Sequence, residues 1–280
     1  MSPSFTNVRC TLELQISMTT VSIITVSYNS AETIRDTIES VRRQTYPHIE
    51  YIIVDGGSTD GTVDIIRENE EVIDRWISEP DDGIYDAINK GIQMSTGDII
   101  GILNSDDWYK PKAVETAVRA FEEHDDTDLV YGAMNVWNKK GHLHAQYGKK
   151  NHLPVEFTAP FNHPACFVRR HAYKDIGLFA LDLPTAADYD FMLRFLKSSR
   201  KSYYVDCILT NFRQGGATSQ YTFSPYSQIW RVLRRNNRPL IKRYSGIIFR
   251  GIRDVLVFIL KNLKLDNVRR KISRFVPYRK

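Results

Sequence analysis

Ile99-Ile-Gly-Ile-Leu-Asn-Ser-Asp-Asp107 opens as an apolar run too short for a helix and closes on two adjacent carboxylates. A buried strand that delivers acids at its carboxyl end is how a parallel α/β sheet presents ligand groups. Two upstream runs share this form. Val21-Ser-Ile-Ile-Thr-Val-Ser27 is followed by Tyr28 and Asn29, and Ile49-Glu-Tyr-Ile-Ile-Val54 by Asp55, Gly56 and Gly57. Between the runs the apolar spacing changes to that of helices, with Ile34, Ile38 and Val41 on one stripe and Ile84, Ile88 and Ile92 on another.

Working outward, a helix is expected from Ala31 to about Gln44 with Ser30 as its N-cap, and another around Val63 to Arg67 capped by Thr59 or Asp60. Val72 to Ile77 reads as a short strand, and helices follow from Ile84 toward Gly97 and from Lys112 to His124. Beyond Leu129 the pattern becomes more extended: 129–137, 142–147, 165–168 and 202–209 read as strands, and Tyr189 to Lys197 as a helix. This alternation predicts a mostly parallel, three-layer α/β fold. No repeat or low-complexity linker divides residues 21–220.

The chain has 280 residues, and its net charge of +5 hides a division. Residues 231–280 hold sixteen Lys and Arg against two Asp, a net +14, which leaves −9 on residues 1–230. The acidic part carries the candidate chemistry; the basic tail is suited to an anionic surface. In the tail, Ile248, Ile252, Val255 and Ile259 share one side of a helix by four-and-three spacing. That stripe fits either docking on the core or another subunit, or peripheral attachment to anionic lipid. No zinc finger or RNA-binding module accompanies the charge, so nucleic acid is not an expected partner. Residues 1–18 lack the form of a secretory signal, and Val255 to Leu260 is far shorter than the roughly 20 residues of a membrane span. Cys10, Cys166 and Cys207 suggest reduced structural thiols in a cytoplasmic protein.

Carboxylate oxygens suit Mg²⁺ or Mn²⁺, the ions that neutralise a nucleotide diphosphate. Asp106 is the candidate metal ligand, and Asp107 a further candidate in a positioning role. An Asp-Asp pair after a strand also reads as a solvated turn or helix cap. Asp55 could accept hydrogen bonds from a nucleobase or organise the Gly56-Gly57 turn, while Ser27, Tyr28 and Asn29 could form the opposite wall. Asp188 and Asp190, at i and i+2, do not share a helix face, so one can enter a site while the other caps or leaves it. Read alone the pair is more often structural, and Asp188 is the candidate base that would take a proton from a sugar hydroxyl. Neither a Gly-x-Gly-x-x-Gly nor a Walker A sequence is present.

In order and spacing these segments resemble glycosyltransferase family 2, with its GT-A nucleotide-sugar fold, over roughly Thr20 to Gln220. Val21 to Asn29 resembles the family's opening strand and nucleotide-binding turn, and Val54-Asp-Gly-Gly-Ser-Thr-Asp-Gly61 its second landmark, which assigns Asp55, Gly57 and Ser58 to the donor. Asp82-Gly-Ile-Tyr-Asp-Ala-Ile-Asn-Lys-Gly91 resembles a donor-binding segment of bacterial polysaccharide-assembly enzymes, which adds Asp82, Tyr85, Asn89 and Lys90. Asn104-Ser-Asp-Asp107 matches the Asp-x-Asp region with Asn104 in place of the first acid, so that Ser105 and Asp106 fall to the donor and metal. Ala187-Asp188 matches the usual Glu-Asp, keeping the base and losing the glutamate, and Asn211 to Ser219 resembles the later loop near diphosphate and acceptor.

The resemblance implies an inverting transfer from a nucleotide-diphosphate sugar, UDP-sugar favoured, to a glycan or lipid-linked acceptor in cell-surface polysaccharide assembly. It places His163, Trp108, Arg213 and Ser219 on the acceptor or loop side, although His163 equally reads as a structural hydrogen bonder and Trp108 as core packing. The expected organisation is an extension over 1–19, a catalytic domain over 20–220 and a basic amphipathic extension over 221–280. The departures at Asn104 and Ala187 keep open a second reading, a nucleotide- or carbohydrate-binding protein that has the fold without transfer.

Overall fold

The computed structural model describes residues 18–138, 140–148, 154–215 and 224–263. A nine-stranded sheet runs through its centre. Strand β1 (Val21–Ser27) lies between β2 (Ile49–Asp55) and β4 (Ile99–Asn104), and β3 (Arg75–Ser78) extends the sheet beyond β2; these four are parallel. Pairing sets Ser27 opposite Asp55 and Asp55 opposite Ser78, so polar side chains line up at one carboxyl edge. β8 (Cys166–Arg169) joins β4 antiparallel and carries β6 (Thr127–Trp137) on its far side. β6 pairs with β7 (Leu143–Tyr147) antiparallel and with β9 (Lys201–Arg213) parallel, and β5 (Trp108–Tyr109) ends the sheet against β9.

Period-two alternation feeds two cores. From β1, Val21 and Ile23 pack into one with Ile34, Ile38, Val41 and Phe121; Ile24 and Val26 pack into the other with Ile88, Phe191 and Phe195. The first core lies under α1 (Ile34–Arg42), α2 (Thr62–Arg67) and α4 (Ala113–Glu123). The second lies under α3 (Ile84–Met94), α5 (Arg170–Ile176) and α6 (Ala187–Lys197). Burial on both faces explains why the strands read as unbroken apolar runs. Ile23, Ile24, Ile52 and Ile53 are completely buried, each contributing roughly 1.5–3 kcal/mol by removal from water.

Several local expectations shift. α1 starts at Ile34, after a turn over 31–33, and Ser30 gives it no side-chain cap, because the Ser30 hydroxyl bonds Tyr28 O and Ser105 Oγ instead. β3 begins three residues later than expected and ends on Ser78. α6 begins at Ala187, which brings Asp188 into its first turn.

Two further helices, α7 (Ser224–Arg235) and α8 (Leu240–Asn262), pack against the sheet-and-helix body. α7 buries Val232 and Leu233 in the second core, and its Gln228 Oε1 accepts from Thr185 N and Thr185 Oγ1, both at 2.9 Å. α8 docks through Phe249, which stacks on Phe157 at 4.5 Å, and through Arg250, whose Nε donates to Glu156 O at 3.3 Å. The stripe of Ile248, Ile252, Val255 and Ile259 is exposed, so docking on the core through that stripe is corrected: the opposite face makes the contact. Among the described residues no helix is long and apolar enough to cross a membrane.

Candidate active site

The carboxyl edge of the parallel strands is organised by one acid. Asp55 is completely buried at the end of β2. Its Oδ1 accepts from Ser27 Oγ at 2.8 Å and Ser58 Oγ at 2.5 Å; its Oδ2 accepts from Ser78 Oγ at 2.7 Å, Ser58 N at 2.8 Å and Gly57 N at 3.1 Å. The neighbouring turn is stitched to it: Asn29 N donates to Ser58 Oγ at 2.8 Å, and Asn29 Oδ1 accepts from Thr59 N at 2.9 Å. Asn29 takes a positive φ of 46°, a conformation that Asn tolerates better than most residues. Gly56 lies where Tyr28 and Asp81 converge. A Cβ there would stand 2.5 Å from Asp81 Oδ2 and 3.4 Å from the Tyr28 ring. Tyr28 itself is largely exposed, as a wall facing an open cleft would be.

β4 ends beside this group, and Asn104 to Asp107 turns back under it. Asp107 points inward and is completely buried; its Oδ1 accepts from Arg213 N at 2.9 Å and its Oδ2 from Asn104 Nδ2 at 3.2 Å. Burial, reinforced by the neighbouring Asp106 charge, pushes the Asp107 carboxyl well above the usual range. Asp106 is half-buried; burial raises its carboxyl as well, against a smaller opposing pull from Arg213. The Arg213 guanidinium lies over Trp108 at 5.1 Å and bonds Asp36 Oδ2 at 2.9 Å. Ser105 Oγ shares a 2.7 Å hydrogen bond with Ser30 Oγ, tying this turn to the one after β1.

A second cluster forms where α3 and α6 begin. Asp188 is buried in the first turn of α6, a position where the helix dipole favours an anion. Its Oδ1 accepts from Tyr189 N at 2.8 Å and from Tyr85 OH at 3.0 Å. Tyr85 belongs to the first turn of α3, which leaves the carboxyl side of β3, so a bond spanning 103 residues fixes Asp188 to the ligand-presenting edge. Phe179 is the hub: Tyr85 stacks on it and His163 meets it edge-on, each at 5.6 Å between ring centroids. Asn89 clamps the Phe179 backbone like a strand partner, donating to its O at 2.9 Å and accepting from its N at 3.0 Å. Asp190 faces away and pairs with Arg194 Nε and Asn236 Nδ2, both at 2.8 Å.

The expected residues thus fall into two groups on one edge. Ser27, Tyr28, Asn29, Asp55, Gly57, Ser58, Ser105 and Asp106 gather around the strand ends, with Trp108 and Arg213 beside them; Tyr85, His163 and Asp188 gather around Phe179. Asp82 is exposed and donates its N–H to Asp86 Oδ2 at 3.2 Å, and Lys90 pairs with Glu79 at 2.8 Å and Asp86 at 3.3 Å. Ser219 lies outside the described residues. Ser78, Asp81 and Phe179 were not anticipated. Ser78 is legible once β3 is paired in register with Asp55; nothing in the local sequence marks Phe179.

Among the described residues no three His, Cys, Asp or Glu converge on one point. Asp106 nevertheless fits a hard divalent ion that takes its remaining ligands from phosphate oxygens and water, the usual Mg²⁺ arrangement. Asp107 has both carboxylate oxygens engaged by protein donors.

The glycosyl transferase family 2 model matches residues 22–177. An uncharacterized glycosyltransferase of Mycobacterium tuberculosis is 32% identical over 207 residues, covering 71% of this chain and 77% of its own. A PGL/p-HBAD biosynthesis glycosyltransferase of Mycobacterium bovis is 30% identical, covering 71% of this chain and 78% of its own. Among solved structures, Staphylococcus aureus TarS residues 1–349 with UDP-GlcNAc superposes with a TM-score of 0.63 at 18% identity, over 78% of this chain. This chain spans 65% of that TarS chain. The mannosyltransferase PcManGT of Pyrobaculum calidifontis, in complex with GDP-Man and Mn²⁺, gives a TM-score of 0.63 at 16% identity, covering 89% of this chain and 74% of its own. These structures share the GT-A fold found here. With the matched model extending from β1 through α5, across the ends of the parallel strands and Tyr85, the chain belongs to glycosyl transferase family 2 and is a glycosyltransferase.

Proposed function

We propose that this enzyme transfers a sugar, with inversion, from a UDP-sugar to a hydroxyl of a glycan or lipid-linked saccharide in cell-surface polysaccharide assembly. The observation that carries the reading is the Tyr85–Asp188 bond, which holds a buried carboxylate at the strand edge where the donor-side residues end. TarS, with UDP-GlcNAc, supports a UDP donor; the mycobacterial relative named for PGL/p-HBAD biosynthesis supports a glycoconjugate product.

In this reading Ser27, Tyr28, Asn29, Asp55 and Ser58 form the nucleotide wall. Gly56 keeps space between Tyr28 and Asp81 for the base. Asp106 would hold Mg²⁺ or Mn²⁺, which would supply positive charge to the diphosphate. Arg213 lies beside Asp106 and is suited to the same phosphates. Asp188 accepts the acceptor hydroxyl's proton as that oxygen bonds to the anomeric carbon, and the bond to the diphosphate oxygen breaks with its electron pair going to the leaving nucleotide. His163 and Trp108 border the acceptor. We place the enzyme in the cytoplasm, at the inner face of the membrane.

Asp188→Asn tests the assignment, because it keeps the shape and the Tyr85 contact while removing the base. Transfer from UDP-sugars should fall about 10²- to 10⁴-fold, while UDP affinity in calorimetry stays within about twofold. Full transfer by a verified Asp188→Asn protein would remove Asp188 from the mechanism.

A further inference from the structure

α8 has one face seated on the body of the enzyme and another on which no described residue lies. The seated face is built for close approach. A Cβ at Gly246 would lie 2.6 Å from Glu156 O, Arg250 places its guanidinium 5.4 Å from the Tyr189 ring, and Val257 and Leu260 are buried. The other face carries Ile241, Tyr244, Ile248, Ile252, Val255 and Ile259, with Ile248 57%, Ile252 64% and Val255 60% exposed. At about 100° per residue, the six charged positions of the helix (242, 243, 250, 253, 254 and 261) all fall within an arc of about 120° on the seated side. A water-facing helix surface ordinarily shows the reverse. The 23-residue helix is about 34 Å long, and its bare stripe exposes on the order of 1,000 Å², beyond the few hundred that soluble monomers tolerate.

We infer that the bare face of α8 lies in the interfacial layer of an anionic bilayer, parallel to its surface, drawn there by the net positive charge of residues 231–280. Charge selects this occupant. Residues 231–280 carry sixteen Lys and Arg against two Asp, so a second copy on the same stripe would bring two strongly positive segments together. Anionic lipid instead neutralises them, at about 1 kcal/mol per basic residue near the surface. The helix lies on the bilayer and does not enter it end-on, because its opposite face is packed on the body through Phe249 and Arg250. The inference stands apart from the transfer chemistry and is read without it.

The full-length protein is cosedimented with vesicles of phosphatidylcholine alone, or with about one-third phosphatidylglycerol. Binding at least tenfold tighter to the anionic vesicles is expected. Ile248→Glu/Ile252→Glu should lower that binding at least tenfold, with melting temperature and sedimentation coefficient unchanged, since both side chains are exposed. Should the double variant fold poorly, Ile252→Asn alone gives a drop of about threefold, the loss of one interfacial anchor. Variant binding within twofold of the native chain would overturn the inference, because charge alone would then suffice. A native dimer that Ile248→Glu/Ile252→Glu dissociates, with no vesicle binding by either form, would overturn it in favour of a second copy.

Discussion

Asp55→Ala removes one acceptor from five donors at once. Three are hydroxyls, of Ser27, Ser58 and Ser78, which can rotate toward other acceptors or water. Two are the backbone N–H groups of Gly57 and Ser58, which cannot. An orphaned buried donor costs about 1–3 kcal/mol, and a water entering the vacated space recovers part of it. The expected loss is therefore about 3–5 kcal/mol of folding stability. Asp55→Asn is a milder change. Its carbonyl can face the two N–H groups while its amide faces Ser27 and Ser58, whose hydroxyls reverse to accept; what is lost is the charge-assisted part, about 1–2 kcal/mol. Urea unfolding at one pH, with UDP titrations on the same folded samples, measures both effects. UDP affinity should drop more than tenfold in the Ala variant and much less in the Asn variant. An Ala variant costing under about 1 kcal/mol, or an Asn variant costing as much as Ala, would refute the view that Asp55 organises this wall through its acceptor geometry.

Three further outcomes are expected. Gly56→Ala should fold, yet bind UDP several-fold more weakly by isothermal titration, because the new methyl group pushes Asp81 and Tyr28 apart. Asp106→Asn should abolish the tightening of UDP binding by Mn²⁺ while leaving metal-free binding nearly unchanged. Glu50 gives a pH test away from the site: burial raises its carboxyl, but donation from Ser22, Thr96 and Gly97 outweighs burial and holds it below the usual range. A depressed carboxyl stabilises the fold above its unfolded value and loses that contribution as pH falls through its folded value. Glu50→Gln should consequently unfold at lower urea than the native chain at pH 7, with the gap closing as the medium is acidified below about pH 4.5.

The parallel strands were readable because they are buried on both faces, which forces continuous β-branched runs such as Ile23 to Val26. β5 was not readable: two residues, Trp108 and Tyr109, become a strand only by pairing with Asn211 and Thr210, a partner a hundred residues away. Ser30 looked like a cap by its position, but the nearby Ser105 hydroxyl was a competing partner that no local pattern reveals. The acids at the strand ends were legible as a set; which of them faces inward was not. Asp106 and Asp107 look alike in sequence, and the Arg213 backbone N–H and the Asn104 amide are what draw Asp107 inward. The stripe on α8 shows a different ambiguity. Its spacing revealed an apolar face, but not that the opposite face, where Phe249, Val257 and Leu260 stand among charged residues, is the one that meets the body.

α6 carries the proposed base at one end and is held from behind by residues of the tail. Asn236 closes the hydrogen bonding of Asp190, and Arg250 covers the ring of Tyr189, the residue next to Asp188. The last helices are therefore not a detachable handle. A shortened protein ending after β9 would leave a buried acid half-satisfied and free the first turn of α6 to fray, so an inactive truncation would report a loosened base as much as a lost surface. By the same coupling, sequence change in the tail is constrained by the catalytic centre, and the two must drift together.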